Sequence, residues 1–147
     1  MTEQLAPIRD GADLEGFRDY FNDLAVIRGL ALSCVSLEPG RAVAEMVVDD
    51  RHRNPDGPVN GGYLLAIADV TAGAAVVTSD PPVTRSATTD LTMHFLAPAV
   101  ASPLTVTADV VRRGRSTCVP TVRITDARGV LCAIATGTWA LRAAPAG

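Results

Sequence analysis

The chain contains no lysine: all thirteen of its basic residues are arginine. That excludes Schiff-base chemistry and any lysine general base. Histidine is nearly as scarce, with only His52 and His94, which leaves little room for imidazole catalysis. Aromatic residues make up 4% of the 147 residues, so Val, Ala, Leu and Thr must do most of the packing. Cys34, Cys118 and Cys132 are odd in number and far apart; they read as buried thiols of a reducing compartment, not as a disulfide frame. A net charge of −3 argues against nucleic acid as a partner. The amino terminus lacks the basic and apolar regions of a signal peptide, and the longest apolar run is too short to span a bilayer comfortably. A cytoplasmic protein without a membrane partner is therefore expected. The length suits one domain over 1–147, with loose ends at about 1–12 and 143–147.

What the sequence does contain is one long apolar segment, 60–78, with a single charge in it. Asp69 is the only charged side chain between Asp56 and Asp80. Apolar residues fall on every side of the helix that this segment predicts, so the helix should be buried all round. A carboxylate there costs several kcal/mol unless it is paired or hydrogen-bonded, at roughly the scale known for buried charges. No basic residue lies within a turn or two. A chemical role for Asp69 is the better explanation.

Around this segment the pattern is readable. A first helix is predicted over 13–28, capped by Asp13 and ended by Gly29. Strands follow over 30–37 and 41–49 across the turn Glu38-Pro39-Gly40. The polar loop 50–58 leads into the apolar helix, which Ser79-Asp80-Pro81-Pro82 stops. Four strands complete the chain, over 85–96, 103–113, 116–125 and 130–141, with Asp126-Ala127-Arg128-Gly129 as the last hairpin turn. Pro120 marks an edge strand or a bulge. In the strand at 85–96, alternation puts Thr89, Leu91, Met93 and Phe95 on one face, and Thr88, Asp90, Thr92 and His94 on the other. A slip of one residue would exchange Thr88 and Thr89.

A helix, two strands, a long apolar helix and four strands give an α+β chain in which one sheet wraps one helix. This order resembles the hotdog fold. The resemblance becomes specific at Asn54-Pro55-Asp56-Gly57-Pro58-Val59-Asn60-Gly61-Gly62 followed by Asp69, which is similar to acyl-CoA thioesterases of the phenylacetate-degradation type. It continues through Thr88-Thr89-Asp90-Leu91-Thr92-Met93-His94-Phe95-Leu96-Ala97-Pro98, Val110–Arg115 and Ala135–Thr138. One position departs: the family's His before the glycine pair is Asn60 here. An imidazole can donate a proton, whereas an amide can only hydrogen-bond.

The resemblance implies hydrolysis of an acyl-CoA thioester, with Asp69 as nucleophile or general base and the Gly61 N–H as oxyanion donor. A helix amino terminus offers free N–H groups and a favourable dipole to such an oxyanion. Asn54 would position the water or the carbonyl, Asn60 would donate to the carbonyl, and Thr88 would orient the acid. Gly62 allows close approach of substrate, and Tyr63 would line the acyl pocket. Arg112, Arg113 and Arg115 suit the phosphates of coenzyme A, although a solvated strand end explains them as well. No metal or redox cofactor is implied, and Asp49, Asp50, His52 and Asp56 show no ligand spacing; they read as a solvated loop. The family assembles as homodimers or homotetramers, so the Asn54–Gly62 loop of one subunit would meet Asp69 of its neighbour. Two alternatives stay open: a hotdog dehydratase or hydratase, and a non-catalytic acyl-thioester-binding hotdog.

Overall fold

The computed structural model describes residues 13–83 and 85–142. The expected loose ends, about 1–12 and 143–147, lie outside these residues. Helices α1 (Leu14–Asp23) and α2 (Ala25–Gly29) precede strands β1 (Leu32–Glu38) and β2 (Arg41–Met46). A 3-10 turn at Asp50–His52 leads to α3 (Gly61–Val77) and then to β3 (Arg85–Phe95), β4 (Leu104–Arg113), β5 (Thr117–Thr125) and β6 (Leu131–Arg142). The strands form one antiparallel sheet in the order β1-β2-β4-β5-β6-β3. This is the hotdog arrangement, an α+β fold with α3 as its filling. Among the described residues no helix is long and apolar enough to cross a membrane.

The sheet's inner face and α3 make the core. Ala42, Ala44 and Met46 of β2, Leu104, Val106 and Ala108 of β4, and Ile124 and Val122 of β5 alternate inward at no more than 2% exposure. They meet Leu64, Ile67, Ala68, Ala72, Ala75 and Val76 of α3. Small side chains let the strands approach the helix closely, so little aromatic volume is needed. The three cysteines are buried free thiols, and burial pushes each of them up from its ordinary pKa.

Three expectations need correction. The first helix is not continuous over 13–28. Leu24 takes an extended ψ of 134° between α1 and α2, which lets both Phe21 and Ile27 reach the core. Asp13 occupies the N-cap position but its side chain makes no capping bond. Of the two readings of Pro120 the bulge is the one found, since β5 lies between β4 and β6 and is not an edge strand. The register shifts opposite it, between Val110 and Arg112, so the bulge falls on β4. Finally, α3 is not covered all round. Leu65, Ala66, Asp69 and Val70 are only half-buried and Gly62 is exposed, because the sheet curls around one side of the helix and leaves the other open.

The carboxylate of Asp126, in the β5–β6 hairpin, is fully buried and binds Arg128 as well as the N–H groups of Val100 and Ala101. Arg128 holds its pKa well below the usual carboxylate range. A depressed folded-state value means stability that is present above the unfolded value of about 4 and is lost as pH falls. Thermal melts taken between about pH 2 and pH 7 should therefore drop below pH 4 in the wild type, and Asp126→Asn should melt lower at neutral pH with a shallower acid slope.

Candidate active site

The amino end of α3 is organised by two amides and one backbone donor. Asn60 is the N-cap, with φ −59° and ψ 135°. Its Oδ1 accepts the Gly62 N–H at 2.8 Å, so that end of the amide must be oxygen and the other end nitrogen. The nitrogen, Nδ2, donates to Asn54 Oδ1 at 2.7 Å. The orientation of Asn54 follows, with its own Nδ2 unbonded among the described residues. The Gly62 N–H thus fixes both amides in turn. The N–H of Gly61 takes no hydrogen bond among the described residues. An unpaired backbone N–H at the positive end of a long helix is a place for a developing negative oxygen.

The loop that carries Asn54 is pinned from several sides. Asn54 N–H donates to Pro58 O at 2.8 Å and Gly57 N–H to Asn54 O at 2.9 Å. The Arg53 guanidinium donates to Gly57 O and to Val100 O, and Val59 N–H donates to Ala99 O at 2.9 Å. His52 is not the solvated loop residue expected. It is 1% exposed, its carbonyl accepts the Asn60 N–H at 2.8 Å, and its Nδ1 accepts the Asp49 N–H at 3.0 Å. Its ring meets Tyr63 edge-on, with centroids 4.8 Å apart. His52 is therefore the floor beneath Asn60. Tyr63, half-buried, leans on it from the first turn of α3. The one sequence signal for this was Asp49 three residues before His52, the spacing of a capping box.

Asp69 lies two turns further along α3. It is half-buried rather than buried, and no arginine pairs with it among the described residues. The Thr88 hydroxyl donates to its Oδ1 at 2.7 Å. Thr88 therefore faces α3, not outward with Asp90, Thr92 and His94. The reason is a bulge: Thr88 pairs with Trp139 while Asp90 pairs with the adjacent Thr138, so Thr89 is an extra residue and the alternation reverses across it.

Phe95 was not singled out from the sequence as a site residue, yet its ring lies against Gly61. A Cβ added at Gly61 would meet Phe95 ring carbons at 3.1 Å. Because the ring is 55% exposed, it forms one wall beside the free N–H. Of the three arginines, Arg113 is engaged elsewhere. Its Nε donates to Ser79 Oγ at 3.0 Å, and its Nη groups donate to Pro81 O and Gly114 O. It ties the β4–β5 turn to the far end of α3, a structural clamp where a phosphate ligand was expected. Arg112 and Arg115 remain exposed. Neither histidine joins Asp69: His52 is occupied as above, and His94 lies on the outer face of β3, exposed. Among the described residues no group of His, Cys, Asp and Glu could hold a metal ion.

Gly61 and Asp69 stand on the same helix eight residues apart, which places them about 12 Å apart along its axis. One thioester carbonyl cannot touch both within a single chain.

Comparison with known proteins agrees with the fold. The sequence profile of the Thioesterase superfamily matches residues 56–133. The acyl-coenzyme A thioesterase PaaI of Escherichia coli is 32% identical over 108 residues, covering 73% of this chain and 74% of the relative. Among solved structures, the E. coli PaaI protein from the phenylacetic acid degradation operon superposes with a TM-score of 0.81 at 23% identity, over 90% of this chain and 96% of that one. A hypothetical thioesterase protein from Streptococcus pneumoniae, solved with coenzyme A, matches with a TM-score of 0.71 at 25% identity, over 78% of this chain and 88% of that one.

Proposed function

This chain belongs to the thioesterase superfamily as a PaaI-like hotdog protein, and on that premise we propose that it hydrolyses an acyl-CoA thioester to the free acid and CoA. The observation that carries the reading is the amide chain at the head of α3. It satisfies the Gly62 N–H and leaves the Gly61 N–H and Asn54 Nδ2 without an acceptor among the described residues. In this reading the substrate's carbonyl oxygen rests on those two donors. Asn54 serves the carbonyl through its Nδ2, the end of the amide that donates. Asn60, placed where the family has His, acts by orienting Asn54 and capping the helix, so no imidazole is needed to fix the donors.

Asp69 supplies the attack. With Oδ1 held by Thr88, the other oxygen is free to take a proton from water or to attack the carbonyl itself. In the water route the hydroxyl adds to the carbonyl carbon, its proton passes to Asp69, and the C–S bond breaks as that proton is returned to the departing sulfur. In the direct route a mixed anhydride forms with loss of CoA thiolate, and water then cleaves it.

The two halves come together across a dimer. β3 is an eleven-residue edge strand, largely exposed, and α3 keeps an open face that carries Asp69. A second copy joined at this edge would cover both and bring Asp69 of one chain to Gly61 of the other. The CoA phosphates would fall to Arg112 and Arg115.

The test is thiol release from a panel of aryl, short-chain and long-chain acyl-CoAs, followed with a thiol-reactive chromophore. Turnover of at least one class is expected. Binding of acyl-CoA without released thiol across the panel would make this a carrier, and hydration of an enoyl-CoA would make it a hydratase.

A further inference from the structure

The hydroxyl that holds Asp69 owes its direction to a residue on another strand. Residues paired across an antiparallel ladder share a face. Leu91 pairs with Gly137 and Met93 with Ala135, both inner-face positions of β6, while Asp90, Thr92 and His94 pair with the outer Thr138, Thr136 and Ile134. Continued without interruption, this register would send Thr88 outward with Asp90. The extra residue Thr89 reverses the parity, so that Thr88 pairs with the buried Trp139 and points at α3.

Gly137 is what allows that extra residue. The bulge presses the Asp90 carbonyl onto β6 directly over Gly137, where an added Cβ would lie 2.3 Å from the Asp90 oxygen and 3.0 Å from the Trp139 ring. Both neighbours are rigid, one a backbone carbonyl and the other a buried indole, so no side chain fits. The bulge is fastened from its other side by Thr89, whose hydroxyl donates to the Thr138 carbonyl at 2.9 Å. That bond restores a ladder contact which the unpaired residue would otherwise lose. We infer that Gly137 and Thr89 are positioning residues for Asp69, acting through the bulge that turns Thr88 toward its carboxylate. The inference rests on the reading of Asp69 as the reacting acid.

The experiment compares Gly137→Ala, Thr88→Val and the double variant with the wild type, using an acyl-CoA that the wild type hydrolyses. Gly137→Ala should lower kcat about tenfold to a hundredfold with KM little changed, the range set by losing one hydrogen bond to a charged group. Thr88→Val should do the same, and the double variant should be no slower than the slower single one. Gly137→Ala folded at wild-type kcat, or losses that multiply in the double variant, would overturn the inference. If Gly137→Ala does not fold, Thr89→Val and Thr89→Ser carry the test: the first should lower kcat and the second restore it, and equal rates in both would be the overturning result. A second readout needs no turnover. The 13C shift of the Asp69 carboxyl carbon should move alike in Gly137→Ala and Thr88→Val; unmoved in Gly137→Ala, it would sink the positioning claim. Failure of the thioesterase reading shows separately, as absence of thiol release by the wild type.

Discussion

Asp69→Asn is expected to slow thiol release by about a hundredfold to ten-thousandfold, the span usual for removing a positioned acid–base group. kcat and kcat/KM should fall together, because the carboxylate acts on the reaction and not on substrate binding. Stability should hardly change. Asp69 is half-buried, bears no ion pair among the described residues, and accepts one hydrogen bond, from Thr88, which an asparagine oxygen can accept as well. That combination separates chemistry from folding more cleanly than most active-site substitutions. A structural carboxylate would give the opposite pattern, with a lowered melting temperature and a rate that is retained. Equal turnover by wild type and Asp69→Asn at matched folding would remove the acid from the mechanism, and with it the proposal.

Much of the fold is legible in the sequence because its signals are local. Six strands and the long helix announce themselves through alternation, through turns such as Asp126–Gly129, and through an apolar run too even to be a surface helix. What escapes is whatever depends on partners distant in the chain. The Thr88–Thr89 bulge cannot be read from strand 85–96 alone, because the strand it forms against, with no Cβ at Gly137 to meet the Asp90 carbonyl, comes more than forty residues later. Alternation therefore puts Thr88 on the wrong face. The solvated reading of His52 fails for the same reason. Its loop sequence is polar, yet the fold closes Tyr63 over the ring and uses its carbonyl to hold Asn60.

Asp69 itself shows a third kind of limit. The composition of α3 says that the helix is apolar, but not how far the sheet reaches around it. The open side, where Asp69 sits half-buried, is set by where the sheet ends at β3. Likewise three neighbouring arginines look equivalent in sequence, and only packing shows that Arg113 is spent on Ser79 and Pro81 while Arg112 and Arg115 are exposed. The Asn60 substitution is the informative opposite case. It looks like a loss when set beside the family's His, but the amide caps α3 and fixes the orientation of Asn54.

Gly61→Pro should leave the fold standing and lower kcat about a hundredfold to a thousandfold, the loss typical of one oxyanion donor. Position 61 is the first residue of α3, where proline's fixed φ and absent N–H are tolerated. Asn60 before it already has ψ 135°, the extended backbone that a following proline requires. The N–H removed is the one with no intramolecular partner among the described residues, so helix bonding is not disturbed. The new ring would crowd Phe95, whose exposed side chain has room to give. Gly61→Ala carries a Cβ to the same contact but keeps the N–H, so it measures the steric share alone; the difference between the two variants is the donor's share. Co-expression with Asp69→Asn then asks whether the site spans two chains. In a dimer of either variant alone, both sites lack one of the two groups. In a mixed dimer one of the two sites receives an intact Gly61 from one chain and an intact Asp69 from the other, so random pairing should return about a quarter of wild-type activity. Rates no higher than the sum of the separate variants would show that the site does not span two chains.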